Sequence, residues 1–149
     1  MAPLALAAAL GGCTPLGLWV YTEPQVALSG IQVALDADAE PLGMVLQVIN
    51  PNSFDLTVTH VEARLQLDSA TVGQVVQANG ASVPERGEAQ VHVALPASDS
   101  LRRALSAQLR AGTHHYAVSG MLTLATPIGK RRIPFAAAGQ GSFGQQRPL

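Results

Sequence analysis

The sequence predicts a mainly β fold, an antiparallel sandwich or barrel that carries one amphipathic helix. Three observations lead there. Apolar residues recur at every second position through most of Val20 to Phe143, the period of half-buried strands. Clusters of Asn, Pro and Gly interrupt these runs at turn-forming positions. One stretch, 99–111, changes to a helical period. Composition is consistent with a single folded domain: of 149 residues, 48% are hydrophobic and 13% charged, the opposite of the balance that keeps a chain disordered. A chain of this length buries roughly two-thirds of its unfolded surface. The apolar mass is Ala, Val and Leu, and aromatics are only 4%.

The strands can be taken in order. Val26 and Leu28 alternate with Gln25 and Ala27; Ile31, Val33 and Leu35 alternate with Gln32, Ala34 and Asp36. Over 42–49, Met44, Leu46 and Val48 share one face while Val45 and Ile49 make the other apolar too, which marks a central strand. Leu56 and Val58 keep one phase, and Val61, Ala63, Leu65 and Leu67 keep the other. A one-residue slip reverses the buried face, so a bulge or bend is expected between 58 and 61. Val91, Val93 and Leu95 form the next run; Tyr116, Val118, Leu122 and Leu124 hold phase through Gly120; Ile133 and Phe135 begin the last strand. Turns are expected at Asn50-Pro51-Asn52, Asn79-Gly80, Pro84–Gly87 and Pro127–Lys130.

The helix is expected over about 99–111, DSLRRALSAQLRA. Leu101, Leu105 and Leu109 fall on one stripe, and Arg102, Ser106 and Arg110 on the wet side. Ser98 or Asp99 serves as N-cap and Gly112 as the terminating glycine.

The N-terminus has the form of a processing signal. Residues 1–12 are uncharged and apolar, too short to span a bilayer, and end in Gly11-Gly12 before Cys13, the single cysteine. Leu10-Gly11-Gly12-Cys13 resembles a bacterial lipobox, in which the cysteine is acylated and becomes the first mature residue. Each buried acyl CH₂ adds about 0.8 kcal/mol of membrane affinity. No Lys or Arg precedes Arg64, so the basic segment of a signal is missing. A start codon assigned too late accounts for that. The competing reading is an apolar N-terminus with a buried free thiol. The lipobox reading divides the chain into a signal peptide (1–12), a lipidated linker (13–19), a domain (20–144) and a flexible tail (145–149). It places the protein in a bacterial cell envelope, facing the periplasm. Thr14 stands where some bacteria use Asp to retain lipoproteins at the inner membrane, so the outer membrane is favoured.

The ordered residues make a larger pattern. Pro24-x-Val26-x-Leu28-x-Gly30 is followed by Val45-x-x-Val48-x-Asn50-Pro51-Asn52-x-Phe54-x-Leu56, then by Val83-Pro84-x-x-Gly87-x-Ala89-x-Val91. Leu101 to Leu109 come next, then Tyr116-x-Val118-x-Gly120 and Ile133-Pro134-Phe135 with Gly139. This set resembles the late embryogenesis abundant group 2 family, also called the water-stress and hypersensitive-response domain, over about 20–144. The resemblance implies a two-sheet antiparallel β-sandwich, fibronectin type III-like or immunoglobulin-like, with one helix. It also implies a role in desiccation and water stress without a catalytic site. Bacterial members are often exported lipoproteins, and related domains have been proposed to hold lipid in an apolar groove.

No residue constellation argues for catalysis. Gly139-x-Gly141-x-x-Gly144 matches a dinucleotide fingerprint as a string, but only five residues follow Gly144, too few to reach a ribose-binding acid. It reads instead as a flexible strand end. His60 and His92 are expected to face solvent, and His114 and His115 to point to opposite faces, so no metal site or cofactor is expected. Asp36, Asp38 and Glu40 read as a solvated edge. Charge is uneven along the chain: residues 1–99 hold all ten acids with Arg64 and Arg86, and residues 100–149 hold seven basic residues and no acid. Lys130, Arg131 and Arg132, with Arg102, Arg103 and Arg110 on the helix, form a candidate surface for anionic lipid or envelope polymer. The plainer reading is that these charges pair or face water. Nucleic acid is disfavoured because aromatics do not interleave with the bases. The leading functional expectation is a monomeric, lipid-anchored protein that protects membranes or client proteins. The alternative is a module that shelters a lipid or hydrophobic ligand.

Overall fold

The computed structural model describes residues 20–33, 42–95, 99, 102–103, 106 and 113–142. Eight strands run through them: β1 (Gln25–Val33), β2 (Leu42–Ile49), β3 (Leu56–Leu67), β4 (Ala70–Ala78), β5 (Ser82–Val83), β6 (Glu88–Leu95), β7 (Thr113–Thr126) and β8 (Gly129–Ser142). They form two antiparallel sheets. One has the order β1-β2-β6; the other has the order β4-β3-β7-β8, with β5 also pairing with β3. Leu42, Met44, Leu46, Val48, Val91 and Val93 from the first sheet share one core with Val58, Leu65, Val118, Leu122 and Leu124 from the second. The two sheets are therefore stacked face to face, as alternating apolar strands require.

The expected slip in β3 is a bulge. Val58 pairs with Leu124 and His60 with Thr123, which leaves Thr59 as the extra residue. Leu56 and Val58 are buried before it, and Val61, Ala63, Leu65 and Leu67 after it. β2 lies in the middle of its sheet, as its apolar sequence predicts, although only its even-numbered residues are deeply buried. A second bulge, between Leu28 and Gly30, divides the two phases of β1.

β4 and β5 are additions to the expected strands. β4 hides its period because Val72 is an extra residue in the ladder, so the buried Val72 and Val75 are three apart. The turn that starts it, Asp68-Ser69, has both residues at positive φ (47° and 68°), a conformation usually given to Asn or Gly. Most of the segment predicted as a helix, 99–111, lies outside the described residues. Asp99, Arg102, Arg103 and Ser106 have helical backbone, but these isolated positions do not make a helix, and none is among the described elements. Residues 1–19, 34–41 and 143–149 also lie outside the description, and with them Cys13, the Asp36–Asp38–Glu40 row, Gly144 and the tail; Arg110 lies outside it too.

Gly120 is a packing requirement. A Cβ there would lie 2.0 Å from the Glu62 carbonyl oxygen and 2.7 Å from Phe135 Cζ. Phe135 pairs with Gly120 across β7 and β8, so its ring covers the bare backbone. Gly139 does the same for Tyr116, whose hydroxyl would be 2.7 Å from an added Cβ. The glycine is thus a seat for a ring rather than a loosened strand end.

The largest polar feature of the interior is an amide pair at one end of the stack. Asn50 and Asn52 are buried at 1% and 2% exposure. The Asn50 Nδ2 group donates to the carbonyls of Phe54 (2.8 Å), Pro84 (3.1 Å) and Val83 (3.3 Å). Its Oδ1 accepts from the Asn52 backbone N–H and the Asn52 amide, both at 3.0 Å. Asn52 then exchanges two bonds with Thr22, donating to its carbonyl at 2.8 Å and accepting from its N–H at 2.7 Å. The main chain of Asn50 donates to Gly87 O, and Arg86 N–H donates to Asn52 O. Every buried side-chain nitrogen and oxygen among the described residues has a partner.

Two outcomes are expected. Asn50→Asp replaces a donor by an acceptor in front of three carbonyls and buries a charge, which should cost about 3–5 kcal/mol in urea unfolding. Gly120→Val should cost about 3 kcal/mol by forcing β3 and β7 apart, and an unchanged unfolding midpoint would contradict the contact geometry.

Candidate functional site

The two ends of the stack differ in chemistry. The described chain enters at Val20 and runs beside Asn52 through the Thr22 exchange. That places Tyr21 under the Arg131 guanidinium, 5.3 Å from its ring centroid. Partial burial raises the Tyr21 hydroxyl pKa, Glu23 raises it further, and Arg131 opposes both. At the same end, β7 and β8 are joined by a two-residue turn, Pro127-Ile128, since Thr126 pairs with Gly129. Thr126 Oγ1 holds this turn by accepting from Ile128 N–H at 3.2 Å and donating to Gly129 O at 2.7 Å.

Lys130, Arg131 and Arg132 follow this turn, and all three are exposed. Strand alternation divides them: Arg131 has the phase of the buried Ile133 and Phe135, and Lys130 and Arg132 have the outer phase. Arg132 makes an open ion pair with Glu62 at 3.4 Å, which is worth little to stability because both groups are well solvated. Three of the four large apolar residues that are exposed among the described positions, Val20, Ile49 and Ile128, belong to this end. Acidic residues of the same end, Asp55, Glu85 and Glu88, sit towards β5 and β6, the side away from β8.

The remaining basic residues of the expected surface are placed elsewhere. Arg102 and Arg103 stand in the connection between β6 and β7, which leaves and re-enters the stack at the opposite end. Arg103 Nε donates to the Asp99 carbonyl at 3.3 Å. β7 has 14 residues, so roughly 40 Å of strand separates that end from Lys130. The structure therefore keeps Lys130, Arg131 and Arg132 together and does not bring Arg102 or Arg103 to them. Arg110 and Cys13 lie outside the described residues.

The far end carries a pair that the sequence did not single out. His114 is buried while His115 is exposed, consistent with the expected opposite facing, and His60 and His92 are exposed. Asp68 Oδ2 accepts a 2.6 Å hydrogen bond from His114 Nδ1; because a carboxylate only accepts, that nitrogen carries the proton. Asp68 Oδ1 accepts from His115 N–H at 3.0 Å, and Asp68 N–H donates to His115 O at 2.8 Å. A two-residue turn is thereby fixed to the start of β7.

Cavities are small. A cleft of ≈ 140 Å³ lies between β1 and β8, lined by Leu28, Ser29, Gly30, Ile31, Tyr116 and Gly141. A shallow depression of ≈ 180 Å³ lies on the outer face beside Gly120 and Arg64. Among the described residues no group of three or more His, Cys, Asp or Glu is placed to hold a metal, and no helix is long and apolar enough to cross a membrane.

The Asp68 bonds predict a pH dependence. The hydrogen bond from His114, then that from the His115 backbone, hold the Asp68 carboxyl below its usual 3.8. A lowered folded-state pKa stabilises the fold above the unfolded value and is lost as pH falls through the folded one. The melting temperature should therefore decline below about pH 4, and part of that decline should be absent in Asp68→Asn, which is also expected to melt lower at neutral pH.

Comparison with known proteins gives a consistent result. No curated protein matches the chain. A late embryogenesis abundant protein solved in solution shares 18% identity at a TM-score of 0.60, covering 79% of this chain and 70% of its own. A solution structure from Arabidopsis thaliana gives 16% and 0.57, covering 79% and 77%, and a crystal structure from Archaeoglobus fulgidus gives 10% and 0.52, covering 83% and 98%. These likenesses show the fold. The family model described as late embryogenesis abundant protein matches residues 45–139, from the centre of β2 to Gly139 in β8. That span includes the Asn50–Asn52 pair and the Gly120 and Gly139 seats, and the chain belongs to the late embryogenesis abundant group 2 family.

Proposed function

We propose that this chain is a non-catalytic, lipid-anchored envelope protein that protects membranes or proteins under desiccation and water stress. The domain of 20–144 is a fibronectin type III-like or immunoglobulin-like β-sandwich, with an amphipathic helix at about 99–111. It follows a signal peptide (1–12) and a linker (13–19) acylated at Cys13. The anchored protein is a monomer that faces the periplasm, with the outer membrane favoured. It needs no cofactor, and its partners are the membrane and client proteins.

One observation carries this reading. Val20, which follows Cys13 closely in the chain, lies at the same end as an exposed Ile128 and the Lys130–Arg132 run, so a lipid on Cys13 would tether the domain by its apolar and basic end. Six residues lie between Cys13 and Val20, and the seven Cα–Cα steps reach at most about 25 Å, which keeps that end close to the bilayer. The second reading, a module that shelters lipid, has a place in the β1–β8 cleft. At ≈ 140 Å³ that cleft is well below the roughly 300 Å³ where ligand pockets begin.

The test is the mass of the protein purified from its own host, under native and then denaturing conditions. A denatured mass for Cys13 to Leu149 plus acyl groups is expected. An unmodified chain that retains Met1 would remove the anchor. A stoichiometric adduct released on denaturation would favour the lipid-sheltering reading. Cys13→Ala should move the protein out of the membrane fraction, and an unchanged distribution would contradict the tether.

A further inference from the structure

We infer that the end of the stack formed by Val20, Tyr21 and the β7–β8 turn is a second, protein-borne contact with an anionic phospholipid bilayer. It inserts Ile128 at the headgroup level and sets Lys130 and Arg131 against phosphates. The inference rests on the anchored reading above for its setting, but the contact itself needs no acyl chain.

Three observations converge on this surface. Ile128 is 41% exposed at the tip of a two-residue turn. Lys130, Arg131 and Arg132 follow within four residues, the arrangement in which an apolar tip enters the interface and basic groups stay at the phosphates. Tyr21 lies beside Arg131, and an aromatic ring with a polar tip favours the same depth.

The charge is local, and its sign decides the occupant. Around the turn, three bases meet Glu23 and Glu62, and Glu62 is engaged by Arg132 in an open pair that a phosphate can replace. Asp55, Glu85 and Glu88, with one base, Arg86, among them, mark the β5–β6 side of the same end and leave it net acidic. One corner is thus basic and the other acidic, so the domain meets an anionic surface by the β8 corner, tilted rather than flat. Arg102 and Arg103, at the far end of β7, are held away from that surface and take no part.

The experiment uses the full chain with Cys13→Ser, which cannot be acylated, and an environment-sensitive fluorophore on one introduced cysteine. Probes on Ile128→Cys and Arg103→Cys are compared on vesicles of phosphatidylglycerol with phosphatidylethanolamine and on vesicles of phosphatidylcholine. A blue shift at position 128 on the anionic vesicles only, suppressed by high salt, with none at 103, is expected. Lys130→Glu with Arg131→Glu should weaken partitioning about tenfold or more; both side chains are exposed, so the variant should still unfold cooperatively, with a modestly lower melting temperature from loss of the Arg131–Tyr21 contact. Equal shifts at 128 and 103, or sedimentation with vesicles without any shift at 128, would overturn the docking geometry. No binding of this variant to anionic vesicles would overturn the second contact altogether, while acylated Cys13 in the host protein would still stand. Normal vesicle binding by the charge-reversed variant would assign the basic corner to a protein partner instead.

Discussion

Two buried amides hold the parts of this molecule that would otherwise have no fixed relation. The chain passes from the first sheet to the second between β2 and β3, and back again between β5 and β6. Asn50 and Asn52 stand at the first passage and bind the second through the carbonyls of Val83 and Pro84 and the main chain of Arg86 and Gly87. Asn52 also holds the entering segment through Thr22. Apolar packing would bring the sheets together but would not choose their alignment, because hydrophobic contact has no direction. Amides that both donate and accept do choose it, and a network in which every member is satisfied adds order without leaving a buried group unpaired. A carboxylate or an aliphatic side chain at either position would break several bonds at once.

The position of the candidate surface follows from that network. Tyr21 meets Arg131 because Thr22 is fixed to Asn52, and Arg131 is where it is because the short Pro127-Ile128 turn ends β7 and reverses the chain. The basic corner is thus a product of long-range register rather than of the local run Lys-Arg-Arg. It also explains why Arg102 and Arg103 do not join Lys130, Arg131 and Arg132 in one patch. A strand of 14 residues lies between the two groups, and antiparallel topology places them at opposite ends.

Much of the fold was legible because period-two alternation survives wherever the ladder is regular. The reversal between Val58 and Val61 was readable for the same reason, and the bulge at Thr59 is its cause. β4 was not readable. Its bulge spaces Val72 and Val75 by three, and its hairpin turn is Asp68-Ser69 in a conformation that sequence rules assign to Asn-Gly. The reason for Gly120 was equally hidden, because it lies in Phe135 on the neighbouring strand and Glu62 on the other side. Asp68 and His114 are 46 residues apart, and no local pattern links them. The basic residues were visible one by one, but their separation into two ends is a property of the topology alone.

The outer edges of the two sheets have their own consequence. Among the described strands β6 has one neighbour, β2, and on its other side the Gln77 side chain of β4 accepts from Ala94 N–H and donates to His92 O, both at 3.4 Å, where a further strand would pair. On β8, an edge strand, Pro134 has no N–H to offer. Chains confined to a surface, or concentrated as solvent leaves, meet each other edge-on far more often than chains in dilute solution. Each meeting is an opportunity for one sheet to extend into the next and begin an aggregate. Gln77 and Pro134 each take a pairing position out of its edge before any encounter takes place, so crowding increases the number of collisions while these edges offer an interrupted template.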